Sequence, residues 1–248
     1  MDVNKNSYTF MFAGIMVVVV AALLSFAATS LKPFQDKNVA LEKKQNILNS
    51  IGIEVTRDDA DQAYSEYIKQ ELVINNGEVK EGVKAFAIEL SKEIKKKPEE
   101  RDAPLYIAEK EGTTYYIIPL RGKGLWGPIW GYISLKGDVN TVNGAIFDHK
   151  GETPGLGAEI ATPVFMDQFQ NKKILDDSGE FVSIEVKKGN ASGDYQVDGI
   201  SGGTITSVGV QDMLDDCIRA YIPFLKEHAG SAMATLSANE KNLATIEE

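Results

Sequence analysis

The chain is nearly without cysteine and histidine. Cys217 stands alone, which excludes an internal disulfide framework and any multi-cysteine zinc or iron–sulfur site built by this chain by itself. The two histidines, His149 and His228, are too far apart in sequence to suggest a metal motif, so no metal site is expected. Positive charge is also scarce, with 26 Lys+Arg against 36 Asp+Glu and a net charge of −10. Apart from the run Lys95, Lys96, Lys97 the basic residues are scattered, so the electrostatic footprint of a nucleic-acid binder is missing and no nucleic-acid partner is expected. Internal repeats are absent as well. What the 248 residues do contain is 43% apolar residues and 8% aromatics, enough to bury a core in one or two compact domains.

Charge is missing altogether from Tyr8 to Leu31, "YTFMFAGIMVVVVAALLSFAATSL". As a helix this stretch is about long enough to cross a hydrocarbon core of roughly 30 Å. Ser25-Phe26-Ala27 offers small residues of the kind a signal peptidase accepts. The apolar run is nevertheless longer than the ~7–15 residues of a signal h-region and its charged lead is thin, so an uncleaved anchor over 8–31 is expected, with residues 1–7 on one side. Lys5 and the amino terminus lie before the span, and Lys32, Lys37, Lys43 and Lys44 lie after it. Counting basic residues alone puts the large domain in the cytoplasm.

After Pro33, "DKNVALEKKQNILNSIG" carries Val39, Leu41, Ile47 and Leu48 among charges and stops at Gly52, which predicts a helix rising from the membrane. A second helix is expected over "RDDADQAYSEYIKQEL", and a third over "EGVKAFAIELSKEIKKK", whose lysines suit a solvated helix C-terminus. These helices make a neck, and 32–104 comprises that neck and the N-terminal part of the large domain. From Leu105 the period changes: "TTYYIIPL", "WGYISLKG" and "VNGAIFDHK" predict short strands between glycine turns. "TPVFMDQFQNKK" reads as helix, "FVSIEVKKG" and "DYQVDGIS" as strands, and "SVGVQDMLDDCIRAYIPFLKEH" as a long amphipathic helix. The expected class is α+β, a mostly antiparallel sheet packed against helices over 105–228. The small, polar, acidic end, 229–248, predicts a loose tail.

Three glycine-rich loops stand out. In "RGKGLWGPIWG", Trp126 and Trp130 either cap a core or offer a flat aromatic wall to a planar ligand. In "HKGETPGLGAEI", Glu152, Thr153, Pro154, Gly155, Leu156 and Gly157 form a rigid turn that either leads into the next helix or lets backbone amides approach a ligand. The third, "DGISGGTITS" from Asp198 to Ser207, sets four hydroxyls around two adjacent glycines before an amphipathic helix. One of Ser201, Thr204 or Thr206 suffices as an N-cap, so the surplus hydroxyls favour an anion at that helix N-terminus. The stretch lacks the lysine of a phosphate-binding GK[ST] loop and does not match GxGxxG.

"DGISGGT" resembles the flavinylation motif of the FMN-binding domains, in which a threonine is esterified to FMN phosphate. With "GETPGLG", "GLWGPIWG" and one N-terminal anchor, the sequence resembles the C subunits of sodium-translocating NADH:quinone reductases over nearly its whole length. The resemblance implies FMN covalently joined to Thr204 as a phosphoester, with Asp198, Ser201, Gly202 and Gly203 completing the motif and Thr206 as the reserve acceptor. Gly203 stands where the family usually has alanine. Trp126, Glu152, Thr153, Gly155 and Leu156 become expected contacts of the cofactor. A threonine hydroxyl is a poor nucleophile with no base beside it in sequence, so a separate enzyme must make the attachment; the resemblance implies that this is a flavin transferase that uses FAD and a metal ion. The resemblance further implies no independent catalysis by the chain alone, one-electron relay within a multi-subunit complex, and as partners the FMN-carrying B subunit in the membrane and the small membrane subunits. It puts the large domain in the periplasm at a bacterial inner membrane, against the lysine count. Two other readings stay open: the G subunit of an Rnf-type ferredoxin:NAD oxidoreductase, typically without a neck of ~80 residues, and a membrane-anchored interaction module with no cofactor.

Overall fold

The computed structural model describes residues 6–228. The chain divides into two compact units at Lys43–Lys44. Helix α1 (Asn6–Ser50) begins in the first and ends in the second. Where the sequence predicts a span to Leu31 and a separate helix after Pro33, one helix runs through, with Pro33 inside it. A proline removes only its own hydrogen bond and crowds one carbonyl, and the helix-forming residues on both sides continue the ladder. The large apolar side chains from Phe10 to Phe26 are exposed, and this is the one helix among the described residues apolar and long enough to cross a membrane. Gly52 ends α1 as expected: it sits at φ +70, with Gly52 N donating to Asn49 O and Ile53 N to Leu48 O.

The second unit is built on a six-stranded, fully antiparallel sheet in the order β2-β1-β3-β4-β5-β6. Its strands are β1 (Ile68–Asn75), β2 (Glu78–Val79), β3 (Ala103–Lys110), β4 (Thr113–Lys123), β5 (Pro128–Lys136) and β6 (Val142–His149). Side chains alternate between two faces. One face carries Ile118, Leu120, Ile133 and Leu135 against Val210, Met213, Leu214 and Ile218 of helix α5 (Thr204–Arg219). The other carries Tyr106, Ile117 and Tyr132 against Ile47, Leu48 and Ile51 at the end of α1 and Ala63 and Tyr64 of α2 (Ala60–Tyr67). A separate parallel pair, β7 (Glu185–Lys187) with β8 (Gln196–Asp198), lies beyond the sheet in sequence.

Four expectations need correction. The segment 32–104 is helical only in part, because the helix read over "RDDADQAYSEYIKQEL" ends at Tyr67 and Ile68 begins β1. Tyr64, Ile68 and Leu72 satisfy a helical spacing as well as they do a strand, and pairing of β1 with β3 decides it. "EGVKAFAIELSKEIKKK" yields only a turn at Ala85–Ala87 and the four-residue α3 (Leu90–Glu93), separated by extended backbone at Ile88 and Glu89. "TPVFMDQFQNKK" makes a short α4 (Pro163–Met166) and one 3-10 turn, placing Phe165 and Phe169 on Phe147. The long C-terminal helix starts earlier than expected, at Thr204, and breaks at 220–221 before residues 222–228 resume a helix. Pro223, which has no amide hydrogen to give the preceding turn, sits at that break. The tail expected over 229–248 lies outside the described residues.

Candidate functional site

The three glycine loops meet. The β4–β5 turn closes through Gly124 N to Gly127 O, 2.8 Å. The loop after β6 folds back through Leu156 N and Ala158 N, both donating to Thr153 O, with Gly155 at φ +75. The third loop turns at Ile200–Gly203, where Gly203 N donates to Ile200 O and Gly202 takes φ +76. That positive φ is what calls for glycine at 202; a methyl group there would stand 2.6 Å from Leu156 Cδ2, the tip of an exposed side chain.

Glu152 ties the three together. Its Oε1 accepts from the Trp126 amide at 2.8 Å, its Oε2 accepts from the Thr206 hydroxyl at 2.6 Å, and its own amide donates to His149 Nδ1 at 3.1 Å. The residue is only 4% exposed. Burial alone would raise its carboxyl, but the Thr206 hydroxyl and the amides of Trp126, Gly127 and Leu125 outweigh it and hold the carboxyl below its ordinary value. The space around it admits nothing larger: a Cβ at Gly157 would lie 2.5 Å from both Glu152 Oε2 and Thr206 Oγ1, and one at Gly124 would lie 2.6 Å from Glu152 Oε1. Expected as a contact of the cofactor, Glu152 has both oxygens occupied by the protein itself.

The hydroxyls of the third loop divide into two pairs. Thr206, 1% exposed, is committed to Glu152, and Ser207, 4% exposed, accepts from the Ile200 amide at 2.9 Å. Ser201 and Thr204 are open to solvent. Thr204 is the first residue of α5, and the N-cap position is Gly203, which supplies no side-chain bond. The first amides of the helix are therefore uncapped and the positive end of its dipole lies beside the Thr204 hydroxyl, an arrangement that suits an anion. Asp198 faces elsewhere: its carboxylate accepts from the Ala191 amide at 2.7 Å and its own amide donates to Gln168.

Thr204 borders two cavities. One, of about 220 Å³, is lined by Leu125, Thr153, Leu156, Gly202, Ile205 and their neighbours. The other, of about 420 Å³, is lined by Val186, Lys187, Lys188, Ile200, Ser201 and Val208 among others. Trp126 is 69% exposed, which overturns its reading as a cap on the core. It lines neither cavity, and only its backbone enters the site, through Glu152. Leu125, Leu156, Ile205 and Val208 are all exposed apolar residues around Thr204. Sequence reasoning missed the Val186–Gly189 wall, which reaches the site because the parallel β7–β8 pair brings it beside Gly199, whose amide donates to Lys187 O. The Lys-Lys-Gly turn is its one local signal, and nothing local in a sequence announces a parallel pairing.

These residues fit a phosphorylated, planar cofactor. Uncapped amides face the one exposed threonine of the loop, and apolar walls stand on both sides of it. An FMN-binding domain model matches residues 124–219, which contain the Gly124–Gly127 turn of the first loop and the whole of the other two. The C subunit of the Na(+)-translocating NADH-quinone reductase of Haemophilus ducreyi is 33% identical over 229 residues, 84% of this chain and 89% of that protein. The same subunit of Neisseria meningitidis is 32% identical over 243 residues, 87% and 94% of the two chains. The crystal structure of the corresponding C subunit from Parabacteroides distasonis, 47% identical, covers 79% of this chain and 96% of its own with a TM-score of 0.72. Identity at this level, carried along most of the chain and matched by the antiparallel fold, means that the chain belongs to the family of Na(+)-translocating NADH-quinone reductase C subunits.

Proposed function

We propose that this chain is the flavoprotein subunit of a membrane complex that couples NADH oxidation and quinone reduction to Na+ export, and that it carries FMN as a phosphoester on Thr204. The observation that carries the assignment of Thr204 is the division of the hydroxyls: Thr204 alone is at once open to solvent, at the head of an uncapped helix and on the border of both cavities. Thr206 no longer serves as the reserve acceptor, because its hydroxyl is buried and given to Glu152, and Ser201 takes that place.

In the maturation reaction the Thr204 oxygen bonds to the FMN-side phosphorus of FAD, the bond to the AMP phosphate breaks, AMP leaves, and the hydroxyl proton passes to a base of the flavin transferase. Near Thr204 the chain offers small or uncharged side chains on an accessible turn, which suits entry into another protein's active site. The first amides of α5 would hold the remaining phosphodiester charge. The bound flavin supplies the redox chemistry, while Leu125, Leu156, Ile205 and Val208 offer it apolar contact and Glu152 holds their loops in place. The partners are the FMN-carrying B subunit and the small membrane subunits. Residues 8–31 cross a bacterial inner membrane and the large domain faces the periplasm.

The test is an intact-protein mass spectrum after co-expression with a flavin transferase. One FMN increment is expected in the wild type and in Thr206→Val, and none in Thr204→Val; an increment that persists in Thr204→Val moves the acceptor to Ser201. Orientation is checked by a reporter fused after Glu248, expected to be active only in the periplasm, with cytoplasmic activity restoring the lysine count.

A further inference from the structure

The sheet face away from α5 carries a group of unpaired cations beside the flavin loop. Arg121 and Lys123 close β4, and the strand register sets them opposite Trp130 and Pro128 of β5. Trp130 in turn faces Asp148 of β6, and the Lys150 amide donates to Pro128 O, which brings Lys150 into the outer row. Strand alternation puts these residues on the face that carries Ile117 and Tyr132, opposite Leu120 and α5.

Arg121, Lys123 and Lys150 make no ion pair among the described residues, although acidic residues outnumber basic ones in the chain. Asp148, opposite Trp130, forms no ion pair with them among the described residues, and its Oδ1 accepts from the His149 amide at 2.7 Å. The Arg121 guanidinium lies over the Trp130 ring, 5.5 Å from its centroid, and both residues are half-buried. Burial pushes the Arg121 side chain below its ordinary value, with no carboxylate to oppose the shift. A half-buried cation without an anion loses hydration that stacking on the Trp130 ring restores only in part, and a planar fork held on a ring is ready to take a carboxylate through two hydrogen bonds.

We propose that Arg121, Lys123 and Lys150, with Trp130 as their apolar floor, form a docking surface for an acidic segment of another subunit of the complex. The inference rests on membership in a multi-subunit assembly and does not depend on which residue accepts the flavin. An acidic protein segment fits better than a lipid surface, because a membrane calls for protruding lysines, whereas here the central cation is recessed on a ring. On a chain of net negative charge, a local positive patch also orients an acidic partner during encounter. Its place at the end of the strand that leads into Gly124 and Leu125 sets the contact beside the proposed flavin loop.

The test uses the intact complex, purified through a tag on this chain, with a zero-length carbodiimide that joins carboxylates to amines. Lys123 or Lys150 is expected to cross-link to an Asp or Glu of another subunit. Arg121→Glu is expected to lower the recovered partner subunits at least roughly thirtyfold, the lower end of the scale on which a recessed ion pair loses its cation, whereas Arg121→Lys retains part of the binding. Covalent FMN per chain, read by mass, stays the same in both variants, which separates a docking failure from a failure of the flavin assignment. Free acetylation of both lysines in the assembled complex, or recovery of all subunits with Arg121→Glu, overturns the proposal. Protection of the lysines that disappears on delipidation, with no cross-link to protein, assigns the patch to anionic lipid and overturns it equally.

Discussion

The two sides of Thr204 are built differently. On the Glu152 side, both carboxylate oxygens have donors, Thr206 is buried, and Gly124, Gly157 and Gly209 sit where a methyl group would overlap a neighbour. On the Lys187 side, a larger cavity opens, a methyl group added at Gly189 would meet nothing within 4 Å, and Lys187 and Lys188 make no ion pair among the described residues. One flank fixes the position of the threonine and the other leaves room beside it. An acceptor for a bulky cofactor needs both, since a loose hydroxyl is poorly presented and a fully packed one cannot be reached.

The strongest way to break this contrast is Gly209→Ala. Its Cβ would lie 2.4 Å from the Lys123 carbonyl, which belongs to a strand and cannot turn aside. A loss of about 3 kcal/mol in urea unfolding is expected, with α5 displaced from β4. A loss below about 1 kcal/mol would show that the fixed flank is not fixed.

Next comes Glu152→Ala, which strips the Trp126 amide and the Thr206 hydroxyl of their acceptor in a buried place and is expected to cost about 2–3 kcal/mol. Glu152→Gln sharpens this through pH. The folded carboxyl is held below its ordinary value, so its stabilising contribution is present above the unfolded value of about 4.3 and is lost as pH falls through the folded value. The urea midpoints of wild type and Glu152→Gln should therefore differ at neutral pH and converge on acidification. A gap that does not change with pH would remove the ionised clamp.

The smallest effect on stability belongs to Trp126→Ala, expected within about 0.5 kcal/mol because the side chain is mostly in solvent. Covalent flavin should remain, while the flavin's absorption or reduction potential shifts if the ring reaches beyond the cavity to this indole. If neither Trp126→Ala nor Leu156→Ala moves spectrum or potential, the ring is held by a partner subunit.

Much of this was legible in the sequence, for reasons that can be named. The uncharged run from Tyr8 to Leu31, the stop at Gly52, the β-rich runs of β4 and β5 between glycine turns and the excess of hydroxyls near Thr204 are all local signals, and the structure keeps them. What stayed hidden depends on partners distant in the chain. The pairing of β1 with β3 chose strand over helix after Tyr67, the β7–β8 pairing created the Lys187 wall, and only the meeting of Glu152 with Thr206 revealed which hydroxyls were spoken for. Trp126 and Trp130 part ways, one exposed at the turn and the other half-buried beneath an arginine, because strand register rather than composition decides which way each ring points.

The order of assembly follows from the same geometry. Residues 124–127, 152–157, 185–189 and 199–208 must all be in place before the turn at Ile200–Gly203 is supported on both sides, and the parallel pair among them cannot form by a hairpin. Contacts of such long sequence separation close late, after the local hairpins of the sheet. The acceptor hydroxyl is thus displayed in its finished pose only near the end of folding, and a transferase that requires that pose would modify completed molecules and pass over nascent ones. On the proposed assignment of FMN to Thr204, the covalent cofactor is a permanent record that the domain has folded, and in a refolding reaction its appearance should lag behind the recovery of sheet structure.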